Sequence, residues 1–293
     1  MYTRRYAEFF IWRKQMRTDL AKEARMQAPA LEGVEEQIET IDDFEIVRID
    51  VKTEQAANEL DKPIGRYVSV AVTKESMMDR EQREQIARIL AKELDALSGG
   101  IRNAMVIGLG NRYVAADALG TKTAEYVFVT RHIHMHMKDI LPQGTPMVSA
   151  FCANVLGITG METAEVVSAL VEKIHPELVI FIDSLAATLP EHLGCVFQCN
   201  DSSIAPGAGV GNFRSILSKD TLGVPVIALG LPLVIGADAF LKEADHGSSV
   251  LYDMIVTPKE IDAMVKDASR VLSDAINRML FGDTYTEIEK LLR

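Results

Sequence analysis

The chain has 293 residues, 48% apolar and 25% charged, the make-up of a globular protein with a sizeable core. A net charge of −11 argues against a general nucleic-acid or anionic-membrane binder, which needs a basic surface. There is no apolar run of about 18 residues, no signal-peptide pattern at the N-terminus, and no metal-type spacing among Cys152, Cys195 and Cys199, so a cytoplasmic protein with reduced thiols is expected.

Residues 1–19 stand apart. They hold Tyr2, Tyr6, Phe9, Phe10 and Trp12, five of the eighteen aromatics, and carry +3 while the remainder carries −14. Tyr2, Tyr6, Phe9, Phe10 and Arg13 fall at helical spacing. Such a basic amphipathic helix suits a docked helix, a membrane-surface helix, or a removable segment lying on an acidic body. Residues 22–63 are acidic, and short strands are expected around Phe44–Ile49 and Tyr67–Val72. Glu75 to Leu97 repeats apolar residues, Met78 among them, at helical spacing and ends at Gly99-Gly100.

From there the pattern alternates: strand 104–108, helix about 117–131, strand 147–152, helix 162–174, strands 178–183, 194–199 and 225–230, then a long helix starting at Thr257-Pro258-Lys259-Glu260 with Thr257 as N-cap. Strands alternating with helices imply a largely parallel sheet covered on both faces, in one domain with an elaborated N-terminal part.

The strand Met105-Val106-Ile107 runs into Gly108-Leu109-Gly110-Asn111, and Asp117 follows; Leu178 to Ile182 runs into Asp183. Ligand and catalytic groups gather at the carboxyl ends of strands in open α/β sheets. Asp117 reads equally as a helix-capping residue, and Asp183 as a structural one. Together they suit an acid/base pair able to activate water, with backbone N–H groups of the 108–111 turn facing an oxyanion. Glu162 reads as a dipole-favoured first-turn acid or a third carboxylate, and Lys122 as a surface lysine or a charge that keeps Asp117 ionised. Ser184 lacks a nucleophile elbow and an assignable base. Gly207 to Asn212 fails the dinucleotide pattern and reads as a substrate-lining or structural loop. His132, His134 and His136 share one face on a strand, where they suit zinc, whereas at a helix end they suit the dipole.

The motifs VIGLGN, DALG followed by Lys122, VTRH, GITGMET, FIDSLAA, PGAGVGN, TLGVPVIALG and IVTPKEID, in this order over roughly residues 16–275, resemble the germination protease (spore protease) family of endospore-forming bacteria. The resemblance implies an atypical aspartic endopeptidase that degrades small acid-soluble spore proteins, made as a zymogen, assembled as a homotetramer and working in the forespore and spore core. Its proposed catalytic aspartates fall on Asp117 and Asp183. Gly108, Gly110, Asn111, Lys122 and Glu162 are expected to line the site. The implied fold is a three-layer α/β/α arrangement with a mostly parallel central sheet, similar to hydrogenase maturation endopeptidases. Met16-Arg17-Thr18-Asp19-Leu20-Ala21 resembles the family's self-processing site, which makes residues 1–19 a propeptide removed at Asp19–Leu20 and 20–293 the protease domain. Ser184 and Thr121 depart from the residues usual in the family, and only His132 of the histidine run is shared, so no metal and no cofactor is implied. Two other readings of the carboxylates are a metal-recognising maturation endopeptidase and a non-catalytic protein whose acidic cleft holds a basic partner.

Overall fold

A nine-stranded mixed sheet organises the molecule, in a computed structural model that describes residues 18–206, 215–240 and 254–292. The helix expected within the first nineteen residues falls almost wholly outside these, as does the loop Gly207–Asn212. The strands are β1 (Val34–Ile41), β2 (Phe44–Val51), β3 (Gly65–Ala71), β4 (Ala104–Gly108), β5 (Val148–Cys152), β6 (Leu178–Ala187), β7 (Val196–Asn200), the short pair β8 (Ser203–Ile204) and β9 (Leu217–Ser218), β10 (Val226–Gly236) and β11 (Ile255–Val256). The order across the main sheet is β1-β2-β3-β7-β10-β6-β4-β5, with β11 on β10 and the β8–β9 pair apart.

The four adjacent strands β10, β6, β4 and β5 are parallel and form the expected parallel part of the sheet, which runs out to the edge strand β5. The N-terminal strands and β7 extend it as an antiparallel meander. Apart from Asp183 and Ser184 of β6, the strands β4, β6 and β10 are apolar and almost wholly buried, because both faces are covered. On one face, Leu178, Ile180 and Ile182 of β6 pack with α3 (Arg80–Ser98), α4 (Leu119–Ala124) and the long α6 (Ile261–Phe281), and α7 (Tyr285–Leu292) closes the end of that layer. On the other, Val179 and Phe181 pack with α5 (Thr163–Ile174), while α1 (Ala21–Gln27) and α2 (Glu54–Leu60) cover β2 and β3. This is the three-layer α/β/α arrangement, and the second layer is divided into two separate groups of helices.

Several elements differ from expectation. The helix expected over 117–131 is a 3-10 turn, Ala115–Asp117, followed by the short α4. Asn277 of α6 stops it there, since its amide accepts the N–H of Phe128 at 2.9 Å and donates to the carbonyl of Tyr126 at 3.1 Å. The helix expected over 75–97 is broken at Asp79, which caps α3 by accepting the N–H of Gln82, and Met78 is left 79% exposed. Thr257 does not cap α6: its hydroxyl donates to the carbonyl of Leu233, and the helix begins at Ile261. β6 and β10 run on to Ala187 and Gly236, past the ends expected for them.

Candidate active site

β4 stops at Gly108, level with Ile182 of β6, so Asp183 is the first residue of β6 beyond the end of its neighbour. β4 continues toward β5 on one side and β6 toward β7 on the other, which makes their junction the switch point where open α/β sheets hold ligands. Asp183 is 7% exposed, and its Oδ1 accepts the N–H of Ser184 at 2.9 Å.

The turn after β4 aims the second aspartate. Leu109 donates its N–H to the carbonyl of Ile182 at 2.9 Å, tying the turn to β6. Gly110 has φ of +89°, and a Cβ there would lie 2.1 Å from the carbonyl oxygen of Asp117, so only glycine fits. The N–H of Asn111 donates to Asp117 Oδ2 at 2.8 Å. Two of the turn's N–H groups, expected to face an oxyanion, are thus engaged in holding the turn and orienting Asp117.

Asp117 and Asp183 line one cleft of about 1100 Å3. It opens where the second helical layer divides, with Ala57 of α2 on one side and Thr163 of α5 on the other. Gly110 also lines it, whereas Gly108, Asn111, Lys122 and Glu162 do not. Gly108 closes the strand end against Gly120, Lys122 lies half-buried on α4, and Glu162 is the N-cap position of α5 without a side-chain cap bond. Ser184 also lines the cleft; its Oγ is buried and has no hydrogen-bond partner among the described residues. His132, His134 and His136 lie on or beside a short helix, Arg131–His136, and His132 lines a different cavity of about 820 Å3 beside α3 and α6. Among the described residues no group of three or more His, Cys, Asp or Glu side chains is placed to hold a metal ion.

Thr18 and Asp19 line the same cleft, and the chain then passes into the core at Leu20. The N–H of Asp19 donates to the carbonyl of Ala186 at 2.9 Å, and the N–H of Ala186 donates to Asp19 Oδ2 at 2.8 Å. Leu20 is fully buried against Leu185, Ala187 and Val196. Leu185 and Ala187 alternate in phase with Asp183, so the segment lies on the aspartate's face of the sheet. The buried Lys62 donates to the carbonyl of Thr18 at 2.8 Å. Burial pushes the Asp19 carboxyl above its usual range, and the N–H of Ala186 and the charge of Lys62 offset this only in part.

Past the junction, Glu23 of α1 is 1% exposed. Its carboxylate accepts the N–H and hydroxyl of Thr188, the N–H of Leu189 at 3.2 Å, and bonds His192 Nδ1 at 2.8 Å. Burial alone would raise its pKa, but bonds from His192, Thr18 and Thr188 outweigh that and hold it at about 2.

A family model described as germination protease matches residues 11–246. The chain belongs to the germination protease family. The germination protease of Clostridium perfringens strain 13 is 34% identical, over 89% of this chain and 94% of that one. That of Caldanaerobacter subterraneus subsp. tengcongensis is 33% identical over 94% and 98%, and that of Bacillus subtilis strain 168 is 38% identical over 76% and 64%. Among solved structures, the NiFe hydrogenase maturation protease HycI from Thermococcus kodakarensis KOD1 aligns with 63% of this chain and 98% of its own, at 16% identity and a TM-score of 0.34. As a germination protease the chain is an endopeptidase acting on protein substrates.

Sequence reasoning missed three members of the cleft's surroundings. Gln198 is 4% exposed, donating from Nε2 to the carbonyl of Asp19 at 2.8 Å and accepting the N–H of Ala21 at Oε1, 2.6 Å away. Its signal was a single glutamine inside the apolar strand Val196-Phe197-Gln198-Cys199. Lys62 and Glu23 carried no local signal, because their partners are remote in sequence.

Proposed function

We propose that this germination protease is of the atypical aspartic type and is made as a zymogen that cuts its own Asp19–Leu20 bond. Residues 1–19 leave as a propeptide, and the mature enzyme then degrades small acid-soluble spore proteins as a homotetramer in the cytoplasm of the spore core. In the reaction, a water held between Asp117 and Asp183 attacks the peptide carbonyl. One carboxylate takes the water's proton while the other, protonated, supplies one to the leaving amine, with no covalent intermediate.

The observation that carries this reading is that both aspartates line one cleft together with Thr18 and Asp19, the residues that lead up to the assigned bond. The switch-point position of the cleft and the orientation of Asp117 by the glycine turn add support. The test is incubation of the full chain, alone and with a small acid-soluble spore protein, with products mapped by mass. Asp117→Asn and Asp183→Asn are each expected to lower both cleavages by about 10²–10⁴-fold with little change in thermal midpoint. Near-normal cleavage by either variant removes that residue from the pair, and a new N-terminus other than Leu20 refutes the assigned junction.

A further inference from the structure

The oxygen that becomes the oxyanion in the self-processing reaction is the carbonyl oxygen of Asp19, and the side chain that touches it is Gln198. We propose that Gln198 is a catalytic residue of this site, the oxyanion donor that also sets the register of the scissile bond. The inference rests on the self-processing reading above.

The geometry is two-pronged. Gln198 Nε2 donates to the Asp19 carbonyl at 2.8 Å, within the range useful to an oxyanion donor. Gln198 Oε1 accepts the N–H of Ala21. One bond is to the carbonyl of the Asp19–Leu20 peptide and the other to the N–H of the next peptide, so one planar amide grips the chain on both sides of the C–N bond to be cut. Because each end of the amide has its partner, its orientation is fixed, and it is buried where hydrogen bonds are least screened.

The sheet brings this amide to the aspartates. Gln198 of β7 is in register with Gly230 of β10, which is in register with Asp183 of β6. Residues in register share a face, so Gln198 and Asp183 project to the same side, their Cα atoms about 10 Å apart across two strand spacings. Gly230 stands between them and puts no side chain in the way. A Cβ there would sit 2.2 Å from the carbonyl oxygen of Asp183 and disturb that aspartate's backbone. The N–H groups of Leu109 and Asn111, donors of the turn at this edge, are already engaged.

The step balances without a further reactant. Water adds through its oxygen to the Asp19 carbonyl carbon, and the π pair moves onto the carbonyl oxygen, where the Gln198 Nε2–H receives it. One aspartate of the pair takes the water's proton. The tetrahedral centre then collapses, the C–N bond breaks, and the other aspartate protonates the Leu20 nitrogen. The pair's single proton has thus changed sides, and the new α-carboxyl group of Asp19 passes its proton to the freed amine, leaving an α-carboxylate on Asp19 and an ammonium on Leu20.

Gln198 also caps the first N–H of α1, so the test must separate that structural role from catalysis. Gln198→Glu does so: at neutral pH its carboxylate still accepts the Ala21 N–H but has no proton to give the Asp19 carbonyl. Self-processing of full-length wild type, Gln198→Glu and Gln198→Ala is followed by mass, with thermal midpoints measured alongside. Gln198→Glu is expected to process about 10²–10³-fold more slowly than wild type at pH 7–8, as loss of one oxyanion donor does, and to regain rate relative to wild type as acidification restores the proton. Gln198→Ala is expected to be slow at every pH. A wild-type rate and pH profile for Gln198→Glu, with the same Leu20 terminus, would overturn the catalytic role and leave self-processing standing. Failure of wild type itself to yield Leu20 would overturn self-processing, and the inference with it.

Discussion

Glu23→Gln tests how the protein fixes the chain just beyond the junction. The carboxylate is buried and collects bonds from Thr188, Leu189 and His192, while the same reach of loop frames the end of β6. Its pKa lies at about 2 against an ordinary 4.5. At 1.36 kcal/mol per unit, that displacement corresponds to an upper bound of roughly 3 kcal/mol of stability at neutral pH. The folded-state pKa is depressed, so this contribution is complete above pH 4.5 and is lost as pH falls from there toward about 2. Glutamine keeps the shape but sets an NH2 group against one side of the donor set, either Thr188 or Leu189 and His192. The expected cost at pH 7 is about 2–3 kcal/mol, which for a chain of this size lowers the thermal midpoint by roughly 3–5 °C. Thermal melts of both proteins from pH 7 to pH 2.5 check this, with the gap between them narrowing through the acid range. Equal midpoints at pH 7, or a gap that stays constant down to pH 2.5, would refute the assignment of this stability to the Glu23 charge.

Two further substitutions probe the cleft itself. Gly110→Ala forces a side chain into the left-handed region and against the Asp117 carbonyl, so cleavage is expected to fall at least tenfold while the far-ultraviolet spectrum stays native; unchanged activity would show that the turn does not set the Asp117 position. Ser184→Ala removes a buried hydroxyl without a hydrogen-bond partner among the described residues, so denaturant unfolding is expected to show equal or greater stability, by up to about 1 kcal/mol, and a clear loss would mean the hydroxyl is satisfied in solution.

The parts of the site built from local pattern were readable in the chain. Apolar runs ending in Gly108 and Asp183 mark strands buried on both faces, and a strand end followed by a glycine turn has few geometries open to it. The rest depended on pairings made across long separations. β1 went unforeseen because Glu35, Glu36, Gln37 and Glu39 face solvent on an edge strand, which leaves no alternating apolar signal. The 117–131 helix was overread because local periodicity carries no information about Asn277, which captures the backbone around Phe128 from 149 residues away. Gln198 was hidden by its strand: a polar residue in an apolar run signals a buried partner but not which one.

The junction joins two segments that the fold treats oppositely, and this bears on why hydrolysis there would be one-way. Beyond the bond, Leu20 fills an apolar pocket and Glu23 is held ionised by a full set of donors, so that side stays in place once cut. Before the bond, Asp19 is buried with its carboxyl pushed above its usual range, which means that its charged form is disfavoured where it sits. Cleavage adds a second carboxylate to that same residue, in a cleft that Asp117, Asp183, Glu54 and Asp61 also line. The intact chain holds Asp19 in this site by covalent connection to a firmly anchored helix. Were the connection cut, the excess of carboxylates lining the cleft over the single charge of Lys62 would favour departure of the acidic end, and religation would require the same charges to be gathered again.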